Sequence, residues 1–278
     1  MTRRFQRGGS PVIDPPPLSE FQSAELTFQG RTCTVRYLGG EGPGVVLMHE
    51  IPGMTPNVLR LAKLLALRGF RVALPSLFGT DGRAPSERLD AEMLLRMCVD
   101  AEFKVFAANG SSPIVDWLRE FCKAWARDTG GNIAAVGLCI TGGFALSLTV
   151  DANGKVQAAV MSEPSLSFPF PFTQNASALH LSVAEVEAIR AKPSPCMALR
   201  FTNDYRCKRE RFDAYQSLLS DKLIRIEIPS PDAVHQISAD AHSVLTEELS
   251  DAQGHPDRIR SDECLSRKPT ANLSRVGG

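Results

Sequence analysis

The chain carries no excess of either charge: Lys plus Arg and Asp plus Glu stand at 31 each among its 278 residues. The strong basic or acidic field that would mark a nucleic-acid or anionic-surface partner is therefore missing. No apolar run reaches the roughly 18 residues that a membrane helix needs, so no membrane partner is expected. The seven cysteines, at positions 33, 98, 122, 139, 196, 207 and 264, include no C-x-x-C pair. Their scatter and odd number argue against a disulfide framework and fit a reduced, cytoplasmic setting in which a free thiol persists. His49, His235, His242 and Asp204 could each ligate a metal, but no ligand-spaced motif such as H-E-x-x-H is present. Neither a metal nor another cofactor is expected. The basic start, with Arg3 and Arg4, leads into Pro11 and Pro15-Pro16-Pro17 and not into an apolar stretch, unlike a secretory signal. There is no internal repeat.

What is there is an alternation. Hydrophobic residues make up 43%, enough for one sizeable core. Strand-like runs lie at Ala24–Gln29, Thr32–Tyr37, Val45–Glu50, Arg71–Pro75, Ile133–Cys139, Ala158–Ser162, Met197–Phe201 and Leu223–Ile228. Helix-like runs lie at Pro56–Arg68, Arg88–Ala108, Ile114–Arg127, Gly143–Val150, Ser182–Ala191, Arg209–Leu219 and Ser243–Leu249. Val45–Met48 and Ile133–Val136 are continuously apolar, as strands covered on both faces must be. The expectation is an α/β fold: a mostly parallel sheet of about eight strands with helices on both faces, opened by an antiparallel edge hairpin. Residues 1–22 read as a flexible leader, 23–250 as one domain, and 251–278 as a polar, disordered tail.

Gly137-Leu138-Cys139-Ile140-Thr141-Gly142-Gly143 sits between a strand-like and a helix-like run. A sharp turn there lifts the side chain at its apex clear of the sheet and aims the next backbone N–H at the same point. Strand and helix backbones nearly touch in such a turn, which calls for small residues at 137 and 142. Cys139 is then either an exposed nucleophile or a small buried hydrophobe.

A nucleophilic cysteine needs a base, and the base an orienting acid; in a sheet of this kind they follow in that spatial logic at successive strand ends. Asp204, just past the Met197–Phe201 strand, fits the acid better than Asp213 or Asp221, which lie within or beyond the next helix. Both His235 and His242 follow the last strand, and spacing alone does not choose between them. Glu50 follows Val45–Met48 in the loop that can supply a second oxyanion donor, a costly place for a carboxylate without a task or a partner.

Taken jointly, these residues resemble the dienelactone hydrolase family of α/β-hydrolases. The likeness spans most of 40–250. It is clearest in Gly42–Gly53, in Pro75-Ser76-Leu77-Phe78-Gly79, in Gly137–Gly143 and in Ala241–Thr246. The last segment is similar to the family's histidine loop and so selects His242. The resemblance implies a Cys139–His242–Asp204 triad, with Glu50 as a helper close to the thiol and the N–H groups of Ile140 and Ile51 as the oxyanion hole. It implies a hydrolase of small carboxylic esters or lactones; the competing reading is a non-catalytic α/β-hydrolase-fold protein that binds a small molecule. Two departures stand out. Thr141 occupies a position where the family elbow commonly has glycine. Thr80 and Thr246 stand near where the family's arginines clamp a substrate carboxylate, and Arg83 and Arg206 are the nearby alternatives.

Overall fold

The computed structural model describes residues 13–84, 86, 113–150, 154–165, 176–179 and 181–249. Its eight strands are β1 (Gln22–Phe28), β2 (Arg31–Leu38), β3 (Gly44–Met48), β4 (Arg71–Pro75), β5 (Ile133–Leu138), β6 (Val156–Ser162), β7 (Cys196–Phe201) and β8 (Leu223–Ile228). They form one sheet in the order β1-β2-β4-β3-β5-β6-β7-β8. β1 and β2 make the antiparallel edge hairpin, β2 also runs antiparallel to β4, and every other pairing is parallel.

Alternation along the central strands sorts their side chains onto two cores. Val46, Met48, Ile133 and Ala135 face one, while Val45, Leu47, Ala134, Val136 and Leu138 face the other. Helix α1 (Pro56–Leu67) covers the second face with Val58, Leu59, Leu61, Ala62 and Leu65. The first face is covered by α2 (Pro113–Asp128), α3 (Gly142–Ser147), α4 (Val183–Ala191) and α5 (Arg209–Leu219). In α2 the buried Ile114, Trp117, Leu118, Phe121, Cys122 and Trp125 recur at the three- and four-residue spacing of one helical face.

The helix ends follow local chemistry. Thr55 caps α1 by accepting from the Val58 N–H at 3.3 Å, with Pro56 at the first helical position. Ser182 and Glu185 form the reciprocal capping box of α4, with bonds of 3.2 and 2.7 Å.

Three differences from the sequence reading matter for the site. β3 and β5 stop at Met48 and Leu138, so Glu50 and Cys139 lie beyond the sheet. The helix expected over Ser243–Leu249 is instead a succession of turns. Its groups are claimed by buried acids: the Val244 N–H goes to Glu163, and the Ser243 and Thr246 hydroxyls go to Glu50. At the start of the chain, Phe21 is buried and β1 begins at Gln22, inside the segment expected to be a leader. The helix expected over Arg88–Ala108 and the tail 251–278 lie outside the described residues.

Candidate active site

The elbow after β5 is strained at its apex. Cys139 has φ 52°, a left-handed conformation uncommon for a side chain of its size. Gly137 is obligatory, because a Cβ there would lie 2.1 Å from the Thr141 carbonyl oxygen. Thr141 is accommodated in a right-handed conformation, with φ −80° and ψ −6°. Its hydroxyl accepts from the Leu138 N–H at 2.9 Å and lies 3.0 and 3.2 Å from the Met48 and His49 carbonyls. The threonine that departs from the expected glycine thus ties the elbow to the loop after β3.

Cys139 Sγ lies 3.3 Å from His242 Nε2, and His242 Nδ1 lies 2.7 Å from Asp204 Oδ2. The other Asp204 oxygen accepts from the N–H groups of Arg206 and Cys207 at 2.9 and 3.3 Å, fixing the carboxylate in its turn after β7. Burial opposes a charge on His242, but Cys139 and Asp204 outweigh it and hold its pKa well above the usual histidine value. The pair at the elbow therefore favours an imidazolium beside the sulfur.

His235 takes no part in this line. Its Nδ1 bonds Asp232 Oδ2 at 2.7 Å within a tight turn closed by Asp232 and Ile237. The buried His49 is a fastener: its Nε2 accepts from the Leu77 N–H at 3.0 Å and its Nδ1 lies 3.0 Å from the Glu50 carbonyl. That pattern requires the neutral ring, and burial lowers its pKa to about 4. Among the described residues no cluster of His, Cys, Asp or Glu could hold a metal ion.

Glu50 is buried, and its oxygens accept from Ser243 Oγ at 2.6 Å and from Thr246 Oγ1, not from the Cys139 thiol. Thr246, standing near an expected arginine position, is fully buried in that bond. Thr80, Arg83 and Arg206 are exposed, and Arg206 lies over the Tyr205 ring with its Nε bonded to the Tyr205 hydroxyl at 2.9 Å.

The segment after β6 escaped the sequence reading. Ser165 Oγ sits 2.8 Å from Cys139 Sγ, and the Ser165 N–H donates to the Cys139 carbonyl at 3.1 Å. Glu163 has a positive φ of 35° and is fully buried. Its Oε2 accepts from Val244 N–H at 3.0 Å and from Ser162 Oγ at 2.5 Å, while Oε1 has no partner among the described residues. Burial, followed by the charge of Glu50, pushes Glu163 up to about 8; burial also raises Glu50. The signal was available: Ser162-Glu163-Pro164-Ser165 ends a buried strand on the same sheet edge, the rule that singled out Asp204.

A family model for the dienelactone hydrolase family matches residues 32–244. The chain belongs to the dienelactone hydrolase family. Among solved structures, a candidate dienelactone hydrolase from Klebsiella pneumoniae is similar at 17% identity and a TM-score of 0.57, covering 89% of this chain and 99% of that one. A dienelactone hydrolase from Anabaena variabilis gives 15% identity and a TM-score of 0.56, covering 89% and 98%. A dienelactone hydrolase-like promiscuous phosphotriesterase from metagenomic libraries gives 16% and 0.56, covering 88% and 96%. A search of curated protein sequences returned no match. At these identities the structural likeness speaks for the α/β-hydrolase fold; the family membership rests on the model match, and it makes the chain dienelactone hydrolase-like.

Proposed function

We propose that the protein is a cysteine-dependent hydrolase of small, neutral carboxylic esters or lactones. The observation that carries this reading is the continuous line of Cys139, His242 and Asp204, with the cysteine held at the apex of a strained strand-to-helix turn. An ordinary free thiol is mostly protonated at neutral pH. A histidinium fixed by a buried aspartate makes the thiolate accessible there.

The thiolate of Cys139 attacks the substrate carbonyl carbon, and the π pair moves to oxygen. The N–H groups of Ile140 and Ile51, from two loops joined by the Thr141 hydroxyl, are assigned to that oxyanion; one such donor is worth about 3–4 kcal/mol. Collapse expels the alkoxide, which takes the proton from His242 Nε2 and leaves an S-acyl enzyme. His242, now neutral, takes a proton from water as the water oxygen attacks the thioester. Collapse of the second tetrahedral species releases the carboxylic acid and restores the thiolate–imidazolium pair.

Glu50 is assigned a positioning role: through Ser243 and Thr246 it fixes the loop that carries His242. Reaching the thiol would require breaking those bonds. The neutral substrate class is supported by Thr80 and Thr246 standing near the expected arginine positions, because threonine cannot reproduce a bidentate arginine clamp. Purified protein should turn over a chromogenic acetyl ester and lose that activity on alkylation of Cys139. Full activity after stoichiometric alkylation at that residue refutes the reading. For a matched acid and its methyl ester, kcat/KM should favour the methyl ester or be equal. A preference for the acid that weakens with salt would reveal a cationic clamp.

A further inference from the structure

Ser162-Glu163-Pro164-Ser165 touches both working ends of the site. At one end Glu163 accepts from Val244 N–H in the histidine loop at 3.0 Å, and its own N–H donates to the Leu199 carbonyl at 2.7 Å. At the other, Ser165 is attached to Cys139 twice, through its N–H to the carbonyl at 3.1 Å and through Oγ to Sγ at 2.8 Å. Pro164 packs against the elbow so closely that a Cβ on Gly142 would lie 2.8 Å from Pro164 Cβ. The Ser165 backbone is therefore held against the elbow, and one torsion, χ1, places its hydroxyl beside the sulfur.

A thiolate is an acceptor only, and the site offers it donors from two directions. His242 Nε2 is one, at 3.3 Å. The helper glutamate suggested by the family resemblance is not the other, since both Glu50 oxygens are engaged by Ser243 and Thr246. We propose that the Ser165 hydroxyl is the second hydrogen-bond donor to the Cys139 thiolate, fixing its direction and raising its population at neutral pH. The proposal rests on the reading of Cys139 as the nucleophile. Ser165 is only 8% exposed, so competition from water at that hydroxyl is weak. The titratable and charged groups around the His242–Cys139 pair are Asp204 behind the ring, the buried Glu50 and Glu163 just beyond the ends of β3 and β6, and Arg211, whose guanidinium donates to the Pro164 carbonyl at 2.8 Å. Replacing Ser165 alters none of these charges.

A hydrogen bond to a charged group is typically worth about a tenfold change in an equilibrium or more. Nucleophilicity falls as thiolate stability rises, with a Brønsted slope near 0.4–0.5, so a tenfold gain in thiolate costs only about threefold in intrinsic reactivity. The test follows iodoacetamide alkylation of the Cys139 peptide by mass spectrometry across pH, in the full-length protein and in Ser165→Ala and Ser165→Thr. In Ser165→Ala the midpoint of the alkylation profile should move up by about one pH unit. Its high-pH plateau should rise about threefold, and kcat/KM for an acetyl ester near pH 6 should fall threefold or more. Ser165→Thr, which keeps the hydroxyl, should restore the parental midpoint. A residue that merely packs would lower activity without moving the midpoint, and that outcome overturns the proposal, as does a midpoint shift common to both variants. Cys139→Ala with intact ester hydrolysis would instead sink the nucleophile reading while leaving the alkylation comparison to judge Ser165.

Discussion

At the scale of single residues, the site depends on which polar groups are spoken for. His242 is bonded on both ring nitrogens within the line from Asp204 to Cys139, whereas His235 serves a local turn with Asp232. His242→Ala is therefore expected to lose several orders of magnitude in kcat, and His235→Ala to stay within about twofold of the parent. Assaying both on one ester checks this, and the reverse ranking would contradict the assignment. Thr141→Val keeps the shape of the elbow but leaves the buried Leu138 N–H without its acceptor. It should lower stability by about 1–3 kcal/mol, read as a shift of the urea midpoint, and lower kcat as the elbow and the β3 loop separate. Cys139, Asp204 and Glu50 were legible from sequence because each follows an apolar strand at the same sheet edge. Choosing His242 over His235 was beyond spacing alone and rested on the likeness of Ala241–Thr246 to a known family loop. Ser165 and Glu163 obey the same strand-end rule. Neither stands out in the sequence, because a candidate base and a candidate acid for Cys139 are already at hand and nothing there points to a further partner.

At the scale of elements, the histidine loop is the instructive case. Its sequence, Ser243–Leu249, has helical character, yet it folds as turns: the Ser243 and Thr246 side chains and the Val244 N–H are anchored on buried acids, and the Glu248 N–H bonds the Ser243 carbonyl, five residues back, at 3.0 Å in place of an α-helical partner four back. Such competition between buried acids and local propensity leaves no trace in a sequence window. The strands behave oppositely. The apolar runs at β3 and β5 were readable because burial on both faces imposes composition directly, and only their last residues shifted, placing Glu50 and Cys139 beyond the sheet. Glu163, which holds the loop through Val244, has its folded pKa raised to about 8 from an ordinary carboxylate value near 4.5. A raised folded pKa gives stability that is fully present below pH 4.5 and is lost as pH climbs through 8. Glu163→Gln should thus gain on the parent in melting temperature as pH rises from 4.5 to 8, with the two closest at the acidic end. Parallel melting curves across that range would show that Glu163 ionises freely.

At the scale of the whole molecule, the eight-stranded sheet brings residues that follow β3, β5, β6, β7 and β8 to one edge, and no described helix is long and apolar enough to cross a membrane. The fold's acid limit is set in part by His49, which joins the loops after β3 and β4 only while neutral. Its folded pKa of about 4 lies below the unfolded value of 6.5. The stability it supplies is present above pH 6.5 and is lost as pH falls toward 4, about 3 kcal/mol in all. Urea midpoints of the parent should fall across that window, and those of His49→Gln should fall less steeply. In the proposed reaction, ester hydrolysis passes through an acyl group carried on Cys139. Acid-quenching the protein during turnover of a chromogenic acetyl ester and mapping its peptides by mass spectrometry tests this directly. One acetyl group should appear, on the peptide containing Cys139, and be absent from Cys139→Ala. Turnover that continues with no acyl group on Cys139, or with the group on another residue, would contradict it.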